Sequence, residues 1–346
     1  MIILLKIKNG TYNSIKTYLI ELYRIILDWI QYFYILLICK IKKYNHIIQY
    51  VNPNDIANTV SRDDPTLRGN SVWHFGSTEG GNWDLNGYPV REYGNLYRIF
   101  EHRIKNAIEY EDIPEFREQL EMIENGGSWY GCETKGEYIR HWQRMETLYF
   151  SIMENGYKTQ QELCSKKKFD EIRIQIGRKG ELLFEEGFHR LVVAQLLNLE
   201  KIPVIVFRRH EAWANLREHV KRIVLKLGFI HQPFNHPDID ILPQYYGNHL
   251  KDQAFYGNER WGYILNSLPV KQGTVLDIGA YFGYFCHRFE DLGFECYAVE
   301  FDRNDFQILK EYNDIMKNKF IVWEKNLYRA GNECFSPFSE DKKQSR

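Results

Sequence analysis

No C-x-x-C pair occurs in this sequence, so its six cysteines (Cys39, Cys132, Cys164, Cys286, Cys296 and Cys334) suggest neither a zinc knuckle nor a redox dithiol. They are scattered, which fits a reducing cytosol better than a disulfide-stapled secreted domain. Charge of one sign is also lacking: 45 Lys and Arg stand against 46 Asp and Glu, a net charge of −1. No overall basic field draws the chain to nucleic acid, and no basic aromatic stripe appears, so DNA is not expected as a partner. The dinucleotide fingerprint G-x-G-x-x-G is missing, and there is no internal repeat. The N-terminal apolar run, Ile25 to Cys39, covers about 15 residues and contains Asp28 and Gln31. A bilayer span needs roughly 20 mostly apolar residues. No small-residue cleavage site is evident, so no signal peptide is expected.

What is present points to a cored protein. The 346 residues allow two ordinary domains, and 44% hydrophobic with 15% aromatic content supplies the interior. Residues 1–45 read as an amphipathic helix ending in Lys40, Lys42 and Lys43. Its leading reading is a helix docked on the body. The alternative is a peripheral helix on an anionic membrane surface, with a true span third. The expected location is cytoplasmic, membrane-associated under the second reading.

The apolar run Ile47 to Val51 predicts a strand, and Asn52-Pro53-Asn54-Asp55 a turn that caps a short helix. "WHFGSTEGGNWDLNGYPV" reads as an ordered loop. Helical spacing runs from Asn95 to Glu124, ending at Asn125-Gly126, and again up to Asn155-Gly156. Two strands flank the turn Arg178-Lys179-Gly180, then a helix and the strand "IPVIVFRR". Residues 211–259 give one helix and a Pro-containing linker. From 260 to 333 the order is helix, strand, Gly-containing turn, helix, strand, helix, strand: a βαβαβ half-unit of a doubly wound sheet. Residues 334–346 form a polar tail.

In the first candidate site, Glu185-Glu186-Gly187 precedes Phe188-His189-Arg190 at a helix start. A helix N-terminus binds anions. Gly187 permits close backbone approach, and His189 and Arg190 offer donors to phosphate oxygens. Glu186, or more weakly Asp84 in "GGNWD", is the candidate general base. The plainer readings are a turn glycine, an Arg190–Glu186 ion pair, and a turn or capping role for Asp84. The pieces Ser151-Ile152, Gly156, Gln160, Gly187-Phe188-His189-Arg190, Ala194 and Ile202-Pro203-Val204 follow one another in an order that resembles the ParB/sulfiredoxin-like domain. The likeness covers about residues 46–210, with a helical insertion. It implies an α+β fold that binds a nucleotide such as ATP, ADP or CTP through Gly187, His189 and Arg190. Family members include CTP-dependent partition proteins, kinases of free serine, and sulfiredoxins. Phe188 stands where a sulfiredoxin has its cysteine, and no helix-turn-helix follows, which argues against repair and partition chemistry.

In the second candidate site, "TVLDIGAYFGYF" is a strand followed by Asp-x-Gly-x-x-x-Gly. Asp277 lies at the carboxyl end of that strand, where ligands bind in such sheets. Gly279 lets a ligand lie against the strand end, and Gly283 lets the next helix start close to the sheet. About twenty residues on, Glu300 ends the second strand, where an acid accepts from ribose hydroxyls. With Ala280, these residues resemble motif I of class I S-adenosylmethionine-dependent methyltransferases in the FkbM-like form, and the resemblance implies that cofactor. From Gly273 onward about 75 residues remain, too few for all the strands of that class. A truncated copy, or a half-sheet completed by a partner chain, is therefore expected.

The expected fold class is α/β: an N-terminal helix, an α+β ParB/sulfiredoxin-like domain with a helical insertion, and an incomplete Rossmann-like methyltransferase-type domain. The expected function is methyl transfer to a small-molecule or glycan-type substrate. The alternatives are a nucleotide-dependent phosphotransferase with a relic half-domain, and a non-enzymatic nucleotide-binding module at a membrane surface. No metal is expected: His231, His236 and Asp238 in "HQPFNHPD" could form a metal trio, but their leading reading is loop capping, and Cys132 reads as exposed without a nearby base.

Overall fold

The computed structural model describes residues 48–60, 75–165, 169–227, 251–316 and 320–324, with scattered positions between 23 and 40 and between 232 and 240. The chain is mixed α/β and divides into two units, Met1–Ala214 and Asn215–Arg346. The division falls inside a helix of the expected linker region, 211–259; positions 228–231, 233, 235 and 241–250 of that region, and the polar tail, lie outside the described residues.

The N-terminal unit begins with helix α1, helical at 32–38 and at the described positions 23, 26, 29, 30 and 40. Strand β1 (Ile48–Val51) leads to a single 3-10 turn, Pro53–Asp55, in which the Asn52 side chain accepts from the Asn54 N–H at 2.9 Å. Short strands β2 (Asn58–Thr59) and β3 (Ser77–Glu79) follow. Three helices come next: α2 (Leu96–Lys105), α3 (Pro114–Glu124) and α4 (Lys135–Asn155). Helix α4 starts in a capping box between Thr134 and Glu137 and stops at Gly156, whose φ of 73° ends the helix at no steric cost. Then come β4 (Ile172–Ile176), β5 (Leu182–Glu186), α5 (Phe188–Leu196), β6 (Ile202–His210) and the first residues of α6 (Glu211–Leu227), which belongs to the second unit from Asn215 on.

The sheet runs β1-β6-β4-β5-β2. Strand β6 is its spine. Its first half pairs antiparallel with β1, its last three residues parallel with β3, and its other edge parallel with β4. Every residue of β6 is buried, including Arg208, Arg209 and His210. β3 was expected as loop; its composition is poor for a strand, but the free edge of β6 supplies its hydrogen bonds, so context outweighs propensity. On one face, α1 docks: Ile35, only 2% exposed, packs with Phe75, Ile205 and Phe207. The docked reading of this helix is what the structure shows at these residues. Among the described residues, no helix is long and apolar enough to cross a membrane. In α5, buried Gln195 donates to the carbonyls of Pro53 (2.9 Å) and Ile56 (3.2 Å), tying the first turn of the unit to the helix.

The C-terminal unit contains α7 (Pro237–Asp240), α8 (Lys251–Ser267), β7 (Thr274–Ile278), α9 (Tyr284–Asp291), β8 (Glu295–Glu300), α10 (Arg303–Met316) and β9 (Ile321–Glu324). The expected βαβαβ order is present, all parallel, in the order β7-β8-β9. Its core joins Trp261 of α8, Phe285 and Phe289 of α9 and Leu309 of α10 to Cys296 and Ala298 of β8. Along β7 burial alternates, and Leu276 and Ile278 stay exposed on the edge strand.

Gly187, between β5 and α5, has φ 97°, and an added Cβ would sit 3.1 Å from the backbone Cα of Ile172. Gly187→Ala is expected to cost about 2 kcal/mol, read as a lower urea midpoint at unchanged slope. An unchanged midpoint would mean that the turn relaxes freely.

Candidate functional site

Two places in the fold repeat one device, a strand entering a helix through a left-handed glycine. The first is the β5–α5 turn. Gly187 is the N-cap and makes no side-chain cap, so the N–H groups of the first turn have no intrahelical acceptor. Phe188 turns into the core against Tyr93 and Phe184. His189 faces His141 of α4, with Nε2 atoms 3.2 Å apart and Tyr130 beside both rings. Burial, the neighbouring His189 and Arg144 lower the pKa of His141 to about 4. Burial and then Arg190 lower that of His189. Both imidazoles are thus neutral at pH 7.

The charged candidates around this turn are already engaged. Arg190 donates to the backbone carbonyl of Asp170 and, at 3.3 Å, to its carboxylate, rather than to Glu186. Glu186 is exposed and pairs with Arg173. The Asp84 side chain is buried and receives three bonds from the Arg178 side chain and one from its backbone N–H. Burial alone would raise the pKa of Asp84, but the bonds and charge of Arg178 outweigh it and hold it low. Arg178 also reaches the Gly81 carbonyl at 2.7 Å, so Asp84 fastens the Gly-rich loop to the β4–β5 hairpin. Beside it, buried Arg208 pairs with Glu79 at 2.8 Å and with Gln175, and lies 3.9 Å over the Trp83 ring. That network explains why so polar a loop is ordered.

No group of three or more metal-ligating side chains occurs among the described residues. His236 Nδ1 accepts from the Asp238 N–H, and buried Asp238 pairs with Arg217 at 3.3 Å; His231 lies outside the described residues. Cys132 is buried rather than exposed, and burial raises its pKa.

The second turn joins β7 to α9. The N–H groups of Gly279 and Ala280 both donate to the Val299 carbonyl, at 2.8 and 3.0 Å. Gly279 has φ 74° and open space where a Cβ would be. At Gly283 a Cβ would meet Leu309 of α10 at 2.6 Å, so only glycine lets α9 start this close. Glu300 is buried and locks the turn: Oε2 accepts from Tyr281 N–H at 2.8 Å, and Oε1 from Phe301 and Asp302 N–H at 2.7 and 2.9 Å. Three of about four acceptor positions of the carboxylate are filled.

No family model, curated protein or solved structure matches the chain.

Two further acids share the ends of β7 and β8. Asp277 has its pKa raised to about 6, mainly by burial, with Glu300 adding to it. Asp305, in the first turn of α10, is raised to about 7 by burial, then by Asp302 and Glu300. Its Oδ1 is buried and accepts no hydrogen bond. The sequence reading missed Asp305, although "EFDRND" places a further acid just past Glu300. It also missed His141, which has no local motif and meets His189 only across 48 residues. The two turns therefore differ in their surroundings: neutral imidazoles and paired Arg–carboxylate groups near Gly187, and carboxyl groups raised in pKa near the ends of β7 and β8.

The histidine pair predicts acid sensitivity. An unfolded histidine takes a proton near pH 6.5, whereas folded His141 does so only near pH 4. Between these values the unfolded state binds more protons, so stability falls as pH drops through that window. Melting temperatures across it are expected to fall less steeply for His141→Gln than for the parent chain. Parallel curves would remove the pair from the explanation.

Proposed function

We propose that the C-terminal unit binds S-adenosylmethionine at the carboxyl ends of β7 and β8, and that the protein is of the methyltransferase type. One observation carries this reading: at the strand ends the charge of Glu300 acts on both Asp277 and Asp305, one buried Asp305 oxygen has no donor, and Gly279, at the end of β7, has open space beside it. Such a place suits a ligand that brings hydroxyl donors and positive charge. Adenosylmethionine brings ribose hydroxyls, an ammonium and a sulfonium, and no phosphate. ATP or a nicotinamide dinucleotide would set phosphates against three carboxyl groups. The residues present therefore fit the cofactor that the motif resemblance implies. Asp277, Glu300 and Asp305 would accept its donors, with Gly279 and Ala280 as the floor. When bound, the cofactor supplies an electrophilic methyl group. The chain's own part is to hold the ligand, to keep the turn rigid through Glu300, and to supply negative charge that grows as Asp277 and Asp305 lose protons. A small-molecule or glycan-type acceptor suits a chain whose net charge is −1.

A second reading places a phosphate or nucleotide at the β5–α5 turn, supported by the first-turn N–H groups and by His141 beside His189. Its phosphotransferase form lacks a base, because Asp84 and Glu186 are held by Arg178 and Arg173.

Thermal-shift and calorimetric titrations of the full chain decide between them. Adenosylmethionine at a hundred times its Kd is expected to add about 2.7 kcal/mol of stability, with no shift from ATP or NAD. Affinity is expected to rise from pH 5.5 to pH 8, because the cation prefers ionised Asp277 and Asp305, whose pKa values stand at about 6 and about 7. Asp277→Asn is expected to weaken binding about tenfold and to flatten this dependence, since a charge-assisted bond is worth roughly 1.5–3 kcal/mol. Absence of binding, or binding indifferent to Asp277→Asn and to pH, defeats the reading.

A further inference from the structure

Helix α1 has two unlike faces. One is seated in the N-terminal unit through Ile35, with Tyr34 and Ile38 packed beside it. The other presents Tyr23, Ile26, Trp29, Ile30, Phe33, Leu36 and Leu37, each between 38% and 63% exposed. Positions 23, 26, 30, 33 and 37 repeat at three- and four-residue steps, so they form one continuous apolar stripe. Trp29 stacks on Phe33 at 5.9 Å and meets Tyr32 edge-on at 6.1 Å, which makes an aromatic ridge along it. A soluble monomer rarely leaves so long an apolar stripe bare.

Charge says what covers it. Residues 1–46 hold seven Lys and Arg against two Asp and Glu, a charge of +5, which leaves −6 on the remaining residues. The basic charge is concentrated in the segment that carries the stripe, and Lys40 stands exposed at its end, with Lys42 and Lys43 next in sequence. A second copy would bring +5 against +5. An aromatic-rich apolar stripe beside a lysine cluster matches an anionic bilayer surface, where Trp and Tyr settle at headgroup level and lysines meet phosphates. The seated face keeps the helix from inserting across the bilayer, so it lies flat.

We propose that the exposed face of α1 docks the protein on anionic lipid membranes. This does not depend on the adenosylmethionine site. The test is co-sedimentation of the full chain with phosphatidylcholine vesicles with and without phosphatidylserine, at low and high salt. Binding is expected only with phosphatidylserine and is expected to weaken as salt rises. The Trp29→Ser/Phe33→Ser pair, both exposed, is expected to abolish it while leaving the circular-dichroism melt unchanged. Lys40→Gln is expected to weaken it about fivefold, the equivalent of about 1 kcal/mol per lysine. The proposal falls if anionic vesicles fail to bind the chain or if the double variant binds like the parent. It also falls if light scattering shows a dimer that the double variant splits, which would assign the stripe to a second copy.

Discussion

Glu300 is the fastening on which the C-terminal site depends. A buried carboxylate is costly unless its lone pairs are met. Here three backbone N–H groups meet them, two from its own strand end and one from the turn after β7. The bond to Tyr281 holds a non-glycine residue at a φ of 55°, between two glycines that also need positive φ. Without that acceptor the turn would have little reason to stay bent toward β8. With it, Gly279 and its open side stay at the carboxyl end of β7, next to that of β8.

The same carboxylate acts on the two acids near it. Its charge helps keep protons on Asp277 and Asp305, which burial already disfavours as anions. A cation or a set of hydroxyl donors relieves all three groups at once. The β5–α5 turn has the same backbone device and the opposite surroundings. There Arg190 is occupied by Asp170, and burial keeps both imidazoles uncharged. Two strand-to-helix turns that both use left-handed glycines thus differ in their surroundings because of the side chains packed around them.

Much of the architecture was legible because it rests on short-range patterns. The period of apolar residues set the helices, Gly126 and Gly156 set two of their ends, and Arg178-Lys179-Gly180 set the hairpin. The βαβαβ order followed from apolar runs separated by amphipathic ones. β3 was hidden because it is a strand by virtue of its neighbour. Gly187 was legible as a turn glycine, but the partners of Arg190, Glu186 and Asp84 were not: the expected Arg190–Glu186 pair is replaced by Arg190 on Asp170 and Glu186 on Arg173, and Asp84 is held by Arg178.

By itself, the sequence determined the element types, the two glycine turns, the acid at the end of each of two strands, and the basic apolar segment at the N-terminus. These depend on residues within a few positions of one another, where backbone sterics and periodicity act. Only the tertiary structure decided which charges are spent and which remain. Arg178 reaches Asp84 across 94 residues, and His141 meets His189 across 48. It also decided which face of α1 is seated, because that follows from the surface offered by Phe75, Ile205 and Phe207. Burial and partner choice are properties of the packed chain, and they set the chemistry of residues whose identity was plain from the start.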